Sequence, residues 1–198
     1  LKNSILLLLI SIGLLGSSAV AQAQTYNDSL GFYGQFSLPV GWNNMADDSG
    51  DGAMVGFALT AGYRFNSWIG ADVEVLWMGA GDIRDPATGS VSMDASLLSV
   101  VGSAKFYPLV LTSRYIPGWV QPYLVFGLGS GIAQQSPRGS NQFGASQDET
   151  VFLARFGTGL EVMISQHWGT YLDVNYYAAN SKSLSGIGTL RLGVLCHF

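Results

Sequence analysis

The sequence predicts an all-β fold: a signal peptide over residues 1–23, then an eight-stranded antiparallel up-and-down transmembrane β-barrel over residues 24–198. Three observations predict it. The N-terminus is composed like that of an exported chain. After it, apolar residues recur at every second position in eight segments. Every charged residue inside those segments falls on the face opposite the apolar one.

Lys2 is followed by an apolar stretch from Ile5 to Leu15 and then by Gly16-Ser17-Ser18-Ala19-Val20-Ala21-Gln22-Ala23. A basic start, a short apolar core and an A-x-A ending read as a secretory signal cleaved after Ala21 or Ala23. The apolar core falls short of the ~20 residues a spanning helix needs. Without Lys2, 8 basic and 13 acidic residues remain, so the net charge is 8 − 13 = −5, which argues against nucleic-acid binding. The lone Cys196 excludes an intramolecular disulfide. Charged residues make up only 11% of the chain, so those present must be placed selectively.

The first strand, Leu30 to Trp42, shows Leu30, Phe32, Phe36, Leu38, Val40 and Trp42 on one face. The second, Val55 to Phe65, shows Val55, Phe57, Leu59, Ala61, Tyr63 and Phe65. Ile69, Ala71, Val73, Val75 and Trp77 form the apolar face of the third, and Leu98, Val100, Gly102, Ala104 and Phe106 that of the fourth, Ser96 to Tyr107. The fifth, Gln121 to Ile132, presents Leu124, Phe126, Leu128 and Ile132; the sixth presents Phe152, Ala154, Phe156, Leu160 and Val162. Leu172, Val174 and Tyr176 belong to the seventh, Thr170 to Ala178. The eighth runs from Thr189 to the last residue, with Leu190, Leu192, Val194, Cys196 and Phe198 on one side. A tilted strand of ~10 residues spans a bilayer.

The charged residues within these strands are Arg64, Asp72, Glu74, Lys105, Arg155, Glu161, Asp173 and Arg191, all opposite the apolar stripe. Chance would place eight that way roughly once in 250 under simple alternation. A soluble sheet puts charge outward; here the apolar face must meet lipid, where a midplane Arg or Lys costs about 2–4 kcal/mol. The signs balance, so the interior is expected to hold a paired network, because unpaired buried charges are costly. Gly127, Gly129, Gly131, Gly157 and Gly159 share the inward parity and are expected to leave room for long side chains opposite.

Connections alternate in length. Asn66-Ser67 and Ile164-Ser165-Gln166-His167 are short; Asn43–Gly52, Gly79–Asp94, Gln134–Glu149 and Ala179–Gly186 are long and polar. With the termini and short turns periplasmic, all four long loops lie outside the cell. Pro108–Gly118 is the exception, a long turn on the periplasmic side. Trp42 and Trp77 are expected at the outer lipid interface and Trp168 at the inner one; Trp68 and Trp119 have inward parity.

Several runs resemble the small outer-membrane β-barrel proteins, the group of the OmpA transmembrane domain and OmpX-like barrels. They are Gly31-Phe32-Tyr33-Gly34, Ala61-Gly62-Tyr63-Arg64-Phe65, Pro122-Tyr123-Leu124-Val125-Phe126-Gly127-Leu128-Gly129, Gly157-Thr158-Gly159-Leu160-Glu161 and the terminal Phe198. The resemblance implies a place in the bacterial outer membrane, with lipid and lipopolysaccharide as surroundings. It also implies insertion by the barrel-assembly machinery, which would read Phe198, Cys196, Val194 and Leu192; Cys196 departs from the usual pattern there.

No catalytic set emerges. A lipid A deacylase-like barrel needs a His and a Ser near each other on the penultimate strand, and Val174-Asn175-Tyr176-Tyr177-Ala178-Ala179-Asn180 has neither. His167 lies in a turn and His197 beside the terminus, with no nucleophile and carboxylate spaced for a triad. Asp47-Asp48-Ser49-Gly50-Asp51-Gly52 lacks the spaced ligands and closing Glu of a calcium loop. Gly127-Leu128-Gly129-Ser130-Gly131 lacks the turn-to-helix setting of a phosphate loop. The expected function is therefore that of a non-enzymatic barrel with a salt-bridged, sealed lumen, no cofactor, and outer loops for structural or binding roles toward an unidentified ligand. A narrow OmpW-like channel for ions or small apolar solutes is the alternative, and a lipid A-modifying enzyme the distant one.

Overall fold

The computed structural model describes residues 30–44, 53–80, 83–84, 91–108, 119–137, 147–180 and 186–198. The expected signal peptide, the Asp47–Gly52 run and nearly all of the Pro108–Gly118 turn lie outside them. The strands are β1 (Gly31–Asn44), β2 (Ala53–Arg64), β3 (Ile69–Ala80), β4 (Ile83–Arg84), β5 (Val91–Phe106), β6 (Val120–Pro137), β7 (Gln147–Met163), β8 (Trp168–Ala179) and β9 (Gly186–His197). Eight of them form the wall: each pairs antiparallel with its neighbours, β3 pairs with β5, and β1 pairs with β9 to close the sheet. The two-residue β4 lies on β5. Closure matters because lipid cannot satisfy the free N–H and C=O groups of an edge.

The register sets the barrel's dimensions. From Tyr33 the Cα partners run through Gly62, Asp72, Ser103, Gly127, Arg155, Tyr177 and Ile187, and return to β1 at Asn43, a stagger of 43 − 33 = 10 residues. Ten residues at about 3.3 Å against eight strands at about 4.8 Å give a tilt of about 41°. Each residue along a strand then climbs about 2.5 Å of barrel axis.

The two faces separate by residue parity. Phe32, Leu38, Val55, Phe65, Leu128, Phe152, Leu172, Leu192 and Val194 are exposed on the outer surface, a band that is apolar because its solvent is hydrocarbon. Trp42 and Trp77 sit on it at the loop end and Trp168 at the turn end. Trp119 turns inward against Met163, Tyr171 and Leu195. Trp68 does not: it is exposed in the first turn, its ring edge-on to Phe106, because the turn interrupts the alternation that gave it inward parity. Phe198, Val194 and Leu192 face outward, with Cys196 half-buried beside them, and the Phe198 N–H donates to the Phe32 carbonyl at 3.0 Å.

Three strands are longer than the alternation predicts. β5, β6 and β7 have 16, 18 and 17 residues, against 12 to 14 for the other wall strands. Stretches read as the long loops Gly79–Asp94 and Gln134–Glu149 are therefore partly strand. Pairing between β6 and β7 continues to Gln135 and Gln147, whereas β8 leaves β7 at Leu153. The six residues from Leu153 to Gln147 carry this part of the sheet about 15 Å beyond its neighbours.

Candidate functional site: the barrel lumen

Inward parity delivers all eight strand charges to the interior, each no more than 5% exposed. The structure sorts them into three groups. Midway up the lumen, Arg191 forks onto Asp173, with Nε donating to Oδ1 at 2.7 Å and Nη2 to Oδ2 at 2.6 Å, while its Nη1 pairs with Glu74. Arg155 shares the same two carboxylates, with Nη1 3.1 Å from Glu74 Oε2 and Nη2 3.9 Å from Asp173 Oδ2. β9 and β8 are neighbours with Arg191 opposite Asp173, whereas Glu74 and Arg155 reach across the lumen from β3 and β7.

Lower down, Lys105 Nζ lies 3.2 Å from Glu161 Oε1 and 3.6 Å from Asp72 Oδ2, between the rings of Tyr33 and Tyr123. Arg64 stands apart. Among the described residues it makes no ion pair; its guanidinium donates to Gln121 Oε1 at 2.6 Å and to the carbonyls of Asn66 and Ser67, and stacks over the Tyr107 ring. It lies at the turn end, where backbone carbonyls freed by the turn are closer than any carboxylate. The even sign count of the eight is therefore not matched by pairing of all eight.

Neutral polar side chains complete the network, and their inward parity is the signal by which they could have been read. Tyr33 donates to Asp72 Oδ2 at 3.0 Å, Tyr123 to Asp173 Oδ2 at 2.8 Å and Tyr177 to Glu74 Oε1 at 2.6 Å. Gln35 links Lys105 to Glu161, and Asn175 links Arg155 to Asp173. A buried carboxylate is tolerable only when its lone pairs meet donors, and these residues supply them. Two of the inward glycines adjoin this network: a Cβ at Gly159 would lie 2.6 Å from both the Tyr123 ring and Asp173 Cβ, and one at Gly157 would collide with Asn175.

Above the ions the lumen changes character. Met54, Ala58, Leu76, Met78, Leu97, Val101, Val151, Leu153, Tyr177 and Ile187 form one packed cluster, each no more than 3% exposed. Sequence reading missed it, since these residues have the parity assigned to the polar face. The pattern is visible strand by strand: toward the loop end Glu74 is followed inward by Leu76 and Met78, Arg155 by Leu153 and Val151, and Arg191 by Thr189 and Ile187. β1 and β6 contribute only small residues at this height, so that a Cβ at Gly41 would lie 2.6 Å from Met78 Cε and one at Gly131 3.1 Å from Leu97 Cδ1. The remaining inward glycines, Gly127 and Gly129, make room for Val101 and Ser103 of β5 rather than for a long charged chain.

His197 is buried at the turn end with its ring 5.6 Å from that of Tyr33, and His167 is exposed in the last turn. Among the described residues no group of three or more His, Cys, Asp or Glu side chains is placed to hold a metal ion.

The model of the family described as outer membrane protein beta-barrel domain matches residues 9–198. No curated protein matches the chain. Among solved structures, Neisserial surface protein A is similar over 84% of this chain and 97% of its own, at 20% identity and a TM-score of 0.61. OprG of Pseudomonas aeruginosa is similar over 87% and 98%, at 14% identity and 0.58. Ail, the attachment invasion locus protein of Yersinia pestis, matches over 85% and 99%, at 20% identity and 0.56, and has also been solved with the heparin analogue sucrose octasulfate. At these identities the likeness is one of fold.

Proposed function

The chain belongs to the outer membrane protein beta-barrel domain family, whose place is the bacterial outer membrane; from that premise we propose that it is a non-enzymatic barrel with a closed lumen that acts through its loop-end surface. The supporting observation is the filling of the interior. An ion-paired layer and an apolar layer lie in series, built from side chains that are almost wholly buried. An eight-stranded wall leaves a space that side chains can fill, and these two layers support that reading. In this reading the termini and short turns are periplasmic, the projecting β5–β7 sheet stands outside the cell, lipid and lipopolysaccharide surround the apolar band, and the assembly machinery reads the C-terminal strand through Phe198.

The sequence of the connections at the loop end also has a net sign. Asp47, Asp48, Asp51, Asp82, Asp85, Asp94, Asp148 and Glu149 fall in the segments around that end, against Arg84, Arg138 and Lys182. Eight acidic and three basic residues disfavour a polyanion of the kind bound to Ail, because like charges facing each other raise the cost of contact.

Planar-bilayer recording tests the closed lumen. The purified, folded barrel should leave the conductance of the bilayer unchanged; a steady open state would establish the narrow-channel reading instead. Whole-cell binding with each projecting segment shortened in turn tests the surface role.

A further inference from the structure

Two layers fill the lumen in series, and the apolar one has the better physical means of stopping ions. Polar and charged side chains can bond to water: a buried charge that loses its partner is costly, and any solvent that reaches it lowers that cost. An apolar constriction does the opposite, since an ion entering it must shed hydration that no wall atom replaces. The layer is contributed by β2, β3, β5, β7, β8 and β9, and its members pack as one cluster. β1 and β6 bring Gly41 and Gly131 to the remaining sides, where Met78 and Leu97 pack against them, and Gly129 lies against Val101. From Leu76 to Val151 it is about 10 Å deep along the axis. Within it or at its margin, Ser99 and Thr189 offer only two hydroxyl oxygens, far short of the hydration shell that an ion would have to shed.

Building on the closed-lumen reading, we infer that the apolar layer of Met54, Leu76, Met78, Leu97, Leu153 and Ile187 is a permeability barrier in its own right, sufficient to stop ions when the ion pairs beneath it are broken. The network then serves chiefly to hold the wall strands together, and the apolar layer keeps it out of contact with water from the loop end.

Three proteins, each checked for folding by heat-modifiable electrophoretic mobility, separate the possibilities in planar bilayers. The parent should not conduct; if it does, the closed-lumen reading itself fails. The exchange Glu74→Gln with Arg155→Gln breaks a cross-lumen pair at constant net charge, and this variant should be as silent as the parent. Adding Leu76→Ser and Leu153→Ser should raise conductance at least about tenfold over the bilayer alone. A silent parent with a conducting Glu74→Gln/Arg155→Gln variant would overturn the inference, because the apolar layer would then be insufficient. A four-substitution variant that folds and stays silent would overturn it too, by placing the barrier elsewhere. Should that variant not fold, Leu76→Ser alone in the same background is read by thiol labelling of Ser103→Cys, with Cys196→Ala removing the native thiol. Modification by a charged reagent from the loop end should then accelerate at least about tenfold, and an unchanged rate would refute the barrier.

Discussion

Over the four residues from Glu74 to Met78 on β3, the lumen passes from a carboxylate held by two arginines to a methionine packed among leucines. Both regions are buried in the lumen, but they are specified differently. The ionic region is all-or-none: Glu74 and Asp173 are stable there only because Arg155, Arg191, Tyr123, Tyr177 and Asn175 all point at them. The apolar region is graded, since a smaller side chain leaves a void and costs in proportion to it. Strand-to-strand register needs the first kind of contact, because a slip of two residues keeps every side chain on its face but separates each charge from its partner. Closing a tube needs only the second.

The sharpest way to break this contrast is to delete one arginine. Arg191→Met leaves Asp173 and Glu74 with a single shared guanidinium, and the barrel should lose about 3–5 kcal/mol in urea unfolding from phosphatidylcholine vesicles. Adding Asp173→Leu to Arg191→Met should recover much of that loss, since an apolar pair of similar volume is often neutral. If the single change costs under about 1 kcal/mol, the network carries no register energy and the contrast fails.

In the apolar region the matching experiment compares neighbours on opposite faces. Leu76 is fully buried in the lumen and Val75 is 40% exposed on the outer surface. Leu76→Ala should cost about 3 kcal/mol through the cavity it leaves. Val75→Ala should cost less than about 1 kcal/mol, because lipid tails close over the missing methyls. Neither cost should depend on salt. Equal costs for the two would mean that the lumen collapses as readily as lipid does.

Glycine tests the room that the network requires. With Tyr123 and Asp173 already pressed against Gly159, Gly159→Ala should overpack the ionic layer and cost about 1–3 kcal/mol. At Gly34, on the outer face, the nearest atom to a new Cβ is Phe198 Cε2 at 3.8 Å, so Gly34→Ala should be close to neutral in the same unfolding measurement.

How far the sequence disclosed all this follows from solvent. Where both faces of a strand have defined surroundings, lipid outside and a packed lumen inside, alternation is clean; Arg64, Asp72, Glu74, Lys105, Arg155, Glu161, Asp173 and Arg191 could be assigned inward from parity alone. Alternation faded where β5–β7 leave the hydrocarbon. Gln134, Gln135 and Ser136, or Gln147, Asp148, Glu149 and Thr150, are polar at successive positions, and polar strand of that kind reads as loop. The apolar layer was hidden for the opposite reason. Leu97-Leu98 on β5 and the Leu76-Trp77-Met78 run on β3 are apolar on both faces, so periodicity weakens although the strand is fully formed. Which partner each charge takes depends on cross-lumen reach, which no local pattern encodes; Arg64, placed by parity with the others, meets Gln121 and turn carbonyls instead.

Two serines on β5 give the finest probe of the boundary between the regions. Ser99 and Ser103 share inward parity and are nearly fully buried, four residues or about 10 Å of axis apart. The hydroxyl of Ser103 accepts from Arg155 Nη1 at 3.3 Å, so removing it takes an acceptor from a buried cation. Ser103→Ala should therefore destabilise by about 1–2 kcal/mol. The Ser99 hydroxyl, in the apolar layer, has no partner among the described residues and carries its desolvation cost uncompensated. Ser99→Ala should leave stability unchanged or raise it by up to about 1 kcal/mol, the same chemical deletion with the opposite sign. Both are read as shifts in the urea midpoint at unchanged slope. Equal destabilisation by the two would place water or a polar partner beside Ser99, and the layer that lies between the ion pairs and the loop end would not be dry.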